Sequence, residues 1–467
     1  MSLIAVGARP EAPPLISRTQ HPLLALLIRL HSYVGLLVGP FIFVAALSGL
    51  FYALTPQIED RLYAEQLYTD STGTPQPLAR QIAVAEAHVG DAATLSAVRP
   101  APQPGSTTRV MFQAPGLGAS ESRAVFVDPV TAEIRGDLLV YGTSGVLPLR
   151  TWLDQFHRSL LLGEPGRLYS ELAASWLWVA ALGGFALWFI RRRRAAGASR
   201  SKGLRHWHIT LGPCLLLGLL FFSATGLTWS RRAGGKIGIA RAALGMSTPS
   251  VSTALEREAV APAGEHAHHA GMAMPVAGTV DPQMFDAVLR TAREGGIDAG
   301  KVEIVPAGGP DRAWTVTEID RSWPTQVDAV AVDPHTLSIT DRIDFATFPI
   351  AAKLTRWGID AHMGSLFGLA NQLLLALTAL GLAVMVVIGY LMWWRRRSQR
   401  RAGRQGIVAV LLELSPRARW AVAAAALVFG YCLPVLGGSL LLFLLLDLVL
   451  TAPWRARPGV GRRAEDA

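Results

Sequence analysis

Long uncharged apolar runs alternate along the chain with polar stretches of domain length. The runs cover residues 34–54, 172–190, 209–230, 364–394 and 421–450, and most of them supply the ~20 residues that a membrane-spanning helix needs. The first is too long for the apolar core of a signal peptide and lacks a small-residue cleavage site after it, so it is expected to be retained as a helix. Between the runs the periodicity shortens. Residues 78–89 have a helical pattern, followed by strand patterns at 94–101 and 109–114 and a hairpin turning at Asp128 and Pro129. Residues 282–293, 301–306 and 313–319, with a turn at Asp333 and Pro334, repeat that order. The last run is too long for one straight helix and short for two. Pro434, Gly437 and Gly438 in its middle predict a hairpin.

Charge adds a direction to this pattern. The chain of 467 residues has a formal net charge of +10, yet many of its Lys and Arg residues cluster just beyond the apolar runs, at 191–194 with Arg200, Lys202 and Arg205, and at 395–397 with Arg400, Arg401 and Arg404. Such clusters mark cytoplasmic loops, and no basic stripe lies on a soluble segment, which excludes a nucleic-acid partner. The expected path is therefore a tail and first helix (1–54), an outer domain (55–150), a second helix (151–194) and a cytoplasmic loop with the third helix (195–230). A linker and second outer domain (231–350), a fourth helix (351–397) and a C-terminal hairpin with a basic tail (398–467) complete it. The partner throughout is the lipid bilayer, and the expected place is the bacterial inner membrane, spanned several times. Cys214 and Cys432, the only cysteines, both lie in apolar runs, so any metal chemistry falls to histidine.

The chain repeats itself. His31, Gly35, Ser48, Gly49 and Leu50 each stand 177 residues before His208, Gly212, Thr225, Gly226 and Leu227. Trp152, His157, Gly163, Gly184 and Trp188 stand 205 residues before Trp357, His362, Gly368, Gly389 and Trp393, as does Val125-Phe-Val-Asp-Pro-Val-Thr131 before Val330-Ala-Val-Asp-Pro-His-Thr336. One unit of helix, outer domain and helix occurs twice, and the two spacings differ by 28 residues, an insertion placed around 246–278. The predicted fold is a membrane α-helical bundle of two parallel repeats, with four core helices, a C-terminal hairpin and two outer α+β domains.

Four of the eleven histidines occupy equivalent positions of the two copies. By the charge pattern His31 and His208 lie toward the cytoplasm, and His157 and His362 toward the periplasm. Parallel repeats are related by a pseudo-two-fold axis along the membrane normal, which brings equivalent residues face to face. Two facing imidazoles between helices suit bis-histidine ligation of haem iron, so two b-type haems are expected, with Gly35 and Gly212 leaving room for the flat macrocycle. His206 is read as a supporting partner next to His208. Arg29 and Arg205 on one side, and Arg158 and Arg356 on the other, are candidates for pairing with propionates.

The insertion carries His266, His268, His269, Met272 and Met274, a soft ligand set that suits copper or another transition metal, although a His-rich linker also binds metal adventitiously. His21, His88 and His335 are read as surface residues without partners, and Asp447 is expected near an interface or beside Ser439. The outer domains hold no paired-carboxylate cleft, Gly-rich phosphate loop or Ser/His/Asp set, which argues against chemistry contained within them. Nor do both halves show the broken helices and midplane charges of a transporter.

The repeated His-x3-Gly-x12-[Ser/Thr]-Gly helix, the Val-x-Val-Asp-Pro-x-Thr hairpin and the inward helix ending in Trp-Trp-Arg-Arg-Arg resemble PepSY-associated transmembrane proteins over roughly residues 22–397. The resemblance implies PepSY-like outer domains. Through inner-membrane ferric-siderophore reductases of similar build, it also implies a haem-dependent reductase of a periplasmic ferric siderophore or other metal chelate. The chain has no dinucleotide-binding Gly fingerprint, so a separate donor, a quinol or a cytoplasmic flavoprotein, is expected to supply electrons. The alternative implied by the same family is a PepSY-type regulatory protein that binds partners and has no redox activity.

Overall fold

The computed structural model describes residues 21–194, 203–255, 280–396 and 406–451. In chain order its elements are α1 (Pro22–Ala53), α2 (Leu78–Val89), β1 (Thr94–Arg99), β2 (Thr108–Gln113), β3 (Glu121–Val127), β4 (Ile134–Tyr141), α3 (Pro148–Ser159), α4 (Gly163–Arg194), α5 (Leu204–Thr228) and α6 (Arg232–Ala243). They continue as α7 (Gln283–Glu294), β5 (Val302–Val305), β6 (Trp314–Glu318), β7 (Ala329–Val332), β8 (Ile339–Ile343), α8 (Ile350–His362), α9 (Gly368–Arg396), α10 (Ile407–Leu412), α11 (Pro416–Cys432) and α12 (Pro434–Thr451).

Four of these helices, α1, α4, α5 and α9, are long and apolar enough to cross a membrane. They pack in a ring: α1 and α5 each lie against both α4 and α9, so α1 faces α5 across the diagonal. Val34, Val38, Ile42, Trp176, Leu219 and Leu382 fill the inside. On α9, Leu373, Leu377, Leu380, Val384, Val387 and Leu391 recur every three or four residues and are exposed, the stripe that a lipid-facing helix presents.

The first span starts earlier than its apolar run. It begins at Pro22, so His31 lies well inside the helix instead of at its opening. Just beyond His31 the helix widens into a π turn over Val34–Val38. The cause is local: Pro40 has no N–H for the Leu36 carbonyl and crowds it. The hydroxyl of Tyr390, on the neighbouring α9, donates to that carbonyl at 2.5 Å.

The segments read as the second and fourth helices are each broken in two. Short helices α3 and α8 carry His157 and His362, and turns with positive φ at Leu160, Leu161 and Gly163, and at Gly364 and Gly368, separate them from α4 and α9. Glycine at these turns is favoured because other residues rarely adopt that conformation.

The two outer segments share one sheet instead of forming separate domains. Its eight antiparallel strands run in the order β4-β3-β2-β1-β5-β6-β7-β8. The halves join where β1 meets β5 at Val98 and Ile304, and across that seam Arg99 Nε donates to Glu303 at 2.7 Å. Alternating side chains build the two faces. Val98, Val110, Phe112 and Val125 pack with Ile304, Val316 and Val330 under α2 and α7, while Ala97, Met111, Ala124 and Phe126 point the other way, toward Tyr63 and Leu67. Both expected turns are present, and the ladder shifts register at Phe126 and Val127 and again at Ala331 and Val332.

The C-terminal run forms the expected hairpin: α11 and α12 pack together, with Gly430 and Gly437 in close approach near the turn. Trp176 of α4 lies tilted against Phe443, ring centroids 5.3 Å apart, and donates to Ser439 at 2.8 Å. Asp447 is not beside Ser439. It is fully buried, accepting from the Tyr33 hydroxyl at 2.5 Å and from the Val408 backbone N–H at 3.1 Å.

Candidate functional site

The bundle brings the four repeated histidines together in two pairs. His31 of α1 and His208 of α5 approach across the diagonal, with ring centroids 6.2 Å apart. His157 and His362, at the ends of α3 and α8, approach to 6.5 Å on the side of the bundle that carries the sheet. His31 and Ser48 lie 17 positions apart on α1, as do His208 and Thr225 on α5. At ~1.5 Å per residue the two pairs are therefore separated by about 25 Å along the helices.

The sheet-side pair is held by hydroxyls that the sequence reading left without a role. Ser48 Oγ lies 2.9 Å from His157 Nδ1, and Thr225 Oγ1 lies 2.7 Å from His362 Nδ1. The 177-residue spacing that matches Ser48 with Thr225 was the available signal. The neighbouring Gly49 gives the ring room, since a Cβ there would stand 3.2 Å from His157 Cε1 and push it back by a few tenths of an ångström. Tyr169 donates to the His157 carbonyl at 2.7 Å and Asn371 to the Ala361 carbonyl at 2.9 Å, so each short helix is tied to the span that follows it.

Both rings line a slot of about 180 Å³ between the helices, walled by small residues that include Ala45, Gly49, Ala174, Gly226 and Ala379. Burial holds both imidazoles below the ordinary histidine range, His362 down to about 3 with the charge of His157 adding to the effect. They are therefore neutral near pH 7, the form with a nitrogen lone pair to offer a metal. Arg158 and Arg167 line the same slot, as does Asp154, whose carboxyl burial pushes up against the pull of Arg158. A larger hollow of about 820 Å³ lies on the sheet's helical side near Pro77 and Asp286, with no histidine or cysteine in its wall.

The other pair is built differently. His31 lies against α4 where Gly184 leaves space, since a Cβ there would stand 3.0 Å from its Cε1. The Nδ1 atoms of His31 and His208 are buried with no side chain in hydrogen-bond contact, and the backbone carbonyls of Ala180 and Met385 stand beside the two rings. A Cβ on Gly35 or Gly389 would meet nothing within 4 Å.

Several expected partners lie elsewhere. His206 is exposed, its ring 6.2 Å from that of Trp207. Arg356 is engaged by Asp360 at 2.7 Å, a fully buried carboxylate that also has Arg321 at 4.0 Å. Arg158 donates to the Tyr141 hydroxyl at 2.8 Å while lining the slot. Arg205 is exposed and Arg29 half-buried. His88 is not partnerless, since Asp137 lies 3.1 Å from its Nε2. His266, His268, His269, Met272 and Met274 lie outside the described residues. Among the described residues no group of three or more His, Cys, Asp or Glu side chains is arranged to hold a metal ion.

No curated protein matches the chain. The sequence model of the PepSY-associated TM region, by contrast, matches residues 28–396, a stretch that takes in most of α1, the other three long helices, both histidine pairs and the whole sheet. The chain is a membrane protein belonging to the PepSY-associated TM family.

Proposed function

We propose that the protein carries electrons across the bacterial inner membrane through two b-type haems, to a ferric siderophore or other metal chelate on the periplasmic, sheet-bearing side. The observation that carries this reading is the spacing of the two histidine pairs. Two imidazoles on one iron, each with nitrogen at ~2 Å and its ring centre ~1.1 Å further, put the centroids about 6.2 Å apart, against 6.2 and 6.5 Å here. Each pair would offer two imidazole nitrogens and no third side chain, which suits a macrocycle that brings its own four nitrogens. The small-residue walls of the slot, and the open space at Gly35 and Gly389, leave room for a flat ring. The repeated spacings of 177 and 205 residues support a parallel two-fold layout with PepSY-like halves in the shared sheet.

Bound haem supplies a one-electron couple. The chain's own work is to hold it. His157 with His362, and His31 with His208, would hold it through their ring nitrogens. The apolar ring of helices excludes water, and Arg158 and Arg167 offer cations to the carboxylates of a macrocycle in the sheet-side slot. The two pairs lie about 25 Å apart along helices long enough to span a bilayer, which supports one haem near each face. A chelate docking below the sheet takes one electron and becomes ferrous, and a quinol or a flavoprotein on the cytoplasmic side supplies it.

The test uses sealed vesicles of known orientation with reductant on the cytoplasmic face only. A membrane-impermeant ferric chelate outside should be reduced by the wild type and not by His31→Ala. Equal transfer by both proteins would take the cytoplasmic pair off the path. A purified protein without haem bands would instead favour the regulatory reading of the family.

A further inference from the structure

The hydroxyls behind the sheet-side histidines are themselves committed. Ser48 Oγ lies 2.7 Å from the Val44 carbonyl, and Thr225 Oγ1 lies 2.7 Å from the Phe221 carbonyl, in each case four residues back on the same helix. A carbonyl only accepts, and two oxygens at 2.7 Å without a proton between them repel, so each hydroxyl spends its single proton on its carbonyl. Its oxygen is left to accept. The group facing it at 2.9 and 2.7 Å is Nδ1 of His157 and of His362, so in both rings Nδ1 must carry the proton. The Ala45 carbonyl, which also only accepts, stands beside the His157 ring and favours the same arrangement.

We infer that Ser48 and Thr225 are positioning residues for the sheet-side pair. Each locks its histidine in the Nδ1–H tautomer with Nε2 free, and the N–H···O bond sets the potential of the haem held there. The inference rests on the haem reading of the site. Its physical basis is that an imidazole donating its N–H to an acceptor becomes a stronger donor to the metal, and a stronger donor favours ferric over ferrous iron. The pair at the other end has no hydroxyl on its Nδ1 atoms, its rings standing instead beside the backbone carbonyls of Ala180 and Met385, so deleting the Ser48 and Thr225 oxygens should leave its potential alone. Orientation is part of the same device, because Gly49 leaves the room that the His157 ring occupies when it turns toward Ser48.

The experiment is a spectroelectrochemical titration of the haem-loaded protein, resolving the two centres by the loss of one in His157→Ala. Ser48→Ala and Thr225→Val should keep both haems and raise the sheet-side midpoint, by about 59 mV for a tenfold loss of ferric preference in a one-electron couple, while the other midpoint stays put. Ser48→Thr and Thr225→Ser keep the oxygen and should keep the wild-type potential. In the reduced, diamagnetic wild type, ¹⁵N NMR should find Nδ1 protonated in His157 and His362. An unchanged sheet-side midpoint in both oxygen-deleting variants overturns the inference, as does an equal shift at both centres or ring nitrogens protonated at Nε2. A wild type that binds no haem refutes the functional reading itself, a different outcome from haem that binds and ignores Ser48.

Discussion

The two ends of the bundle hold histidine pairs at nearly the same separation, 6.2 and 6.5 Å, with different surroundings. At the sheet side each ring is backed by a hydroxyl and the slot is bordered by Arg158, Arg167 and Asp154. At the far end no hydroxyl backs the Nδ1 atoms, and backbone carbonyls of Ala180 and Met385 stand beside the rings; only one of the two helices, α1, relaxes into a π turn after its histidine. The prolines explain that last difference, for Pro40 and Pro213 stand 173 positions apart, out of step with the 177 that relates the histidines. The spacing of a pair thus follows from the ring of four helices, whereas its chemistry follows from what stands behind each ring. Matched motifs do not guarantee matched sites.

The largest effect that separates the two ends is expected from Asp360, two residues before His362. It is fully buried, with burial raising its carboxyl against the pull of Arg356 and Arg321, and its backbone carbonyl accepts from Ser365 and Leu366 in the turn into α9. Removing one member of a buried ion pair costs about 3–5 kcal/mol. Arg356 keeps some contact with solvent, so Asp360→Ala should fall near ~3 kcal/mol in denaturant unfolding. It should weaken haem retention at the sheet side only, and equal loss at both ends would break the comparison.

A smaller effect is expected from Gly184→Ala at the far end. The new methyl would approach His31 Cε1 to 3.0 Å, so the ring must shift by a few tenths of an ångström, a crowding cost of about 1–3 kcal/mol. The far-end haem should show altered bands while the sheet-side spectrum is unchanged. A Gly389→Ala methyl meets no protein atom within 4 Å but enters the space the macrocycle would use, so it too should alter the far-end bands and leave the sheet-side spectrum unchanged.

Much of this arrangement was legible in the residues. Apolar runs located the four spans, turn residues located both hairpins of the sheet, and the two spacings picked out both histidine pairs. What was not legible depends on contacts distant in sequence. The fusion of the two outer segments into one sheet rests on β1 meeting β5 at Val98 and Ile304 and on the Arg99–Glu303 pair, with no local pattern to announce it. Arg356 was read as a propionate partner because its position next to the membrane was visible, but the burial of Asp360 one turn later was not. Ser48 and Thr225 were aligned by the repeat, yet their role appears only when α3 and α8 fold back against α1 and α5. The early start of α1 was hidden because Arg29 and His31 interrupt its hydropathy, although a helix tolerates both.

The account's central claim is that each diagonal pair of histidines holds its own haem. Haem per chain, quantified on purified protein by its pyridine complex, tests it most directly. Two are expected in the wild type, one in His31→Ala and in His157→Ala, still one in the double variant His157→Ala/His362→Ala, and none in His31→Ala/His157→Ala. A chain without haem, or a His31→Ala/His157→Ala protein that keeps one, would contradict the claim.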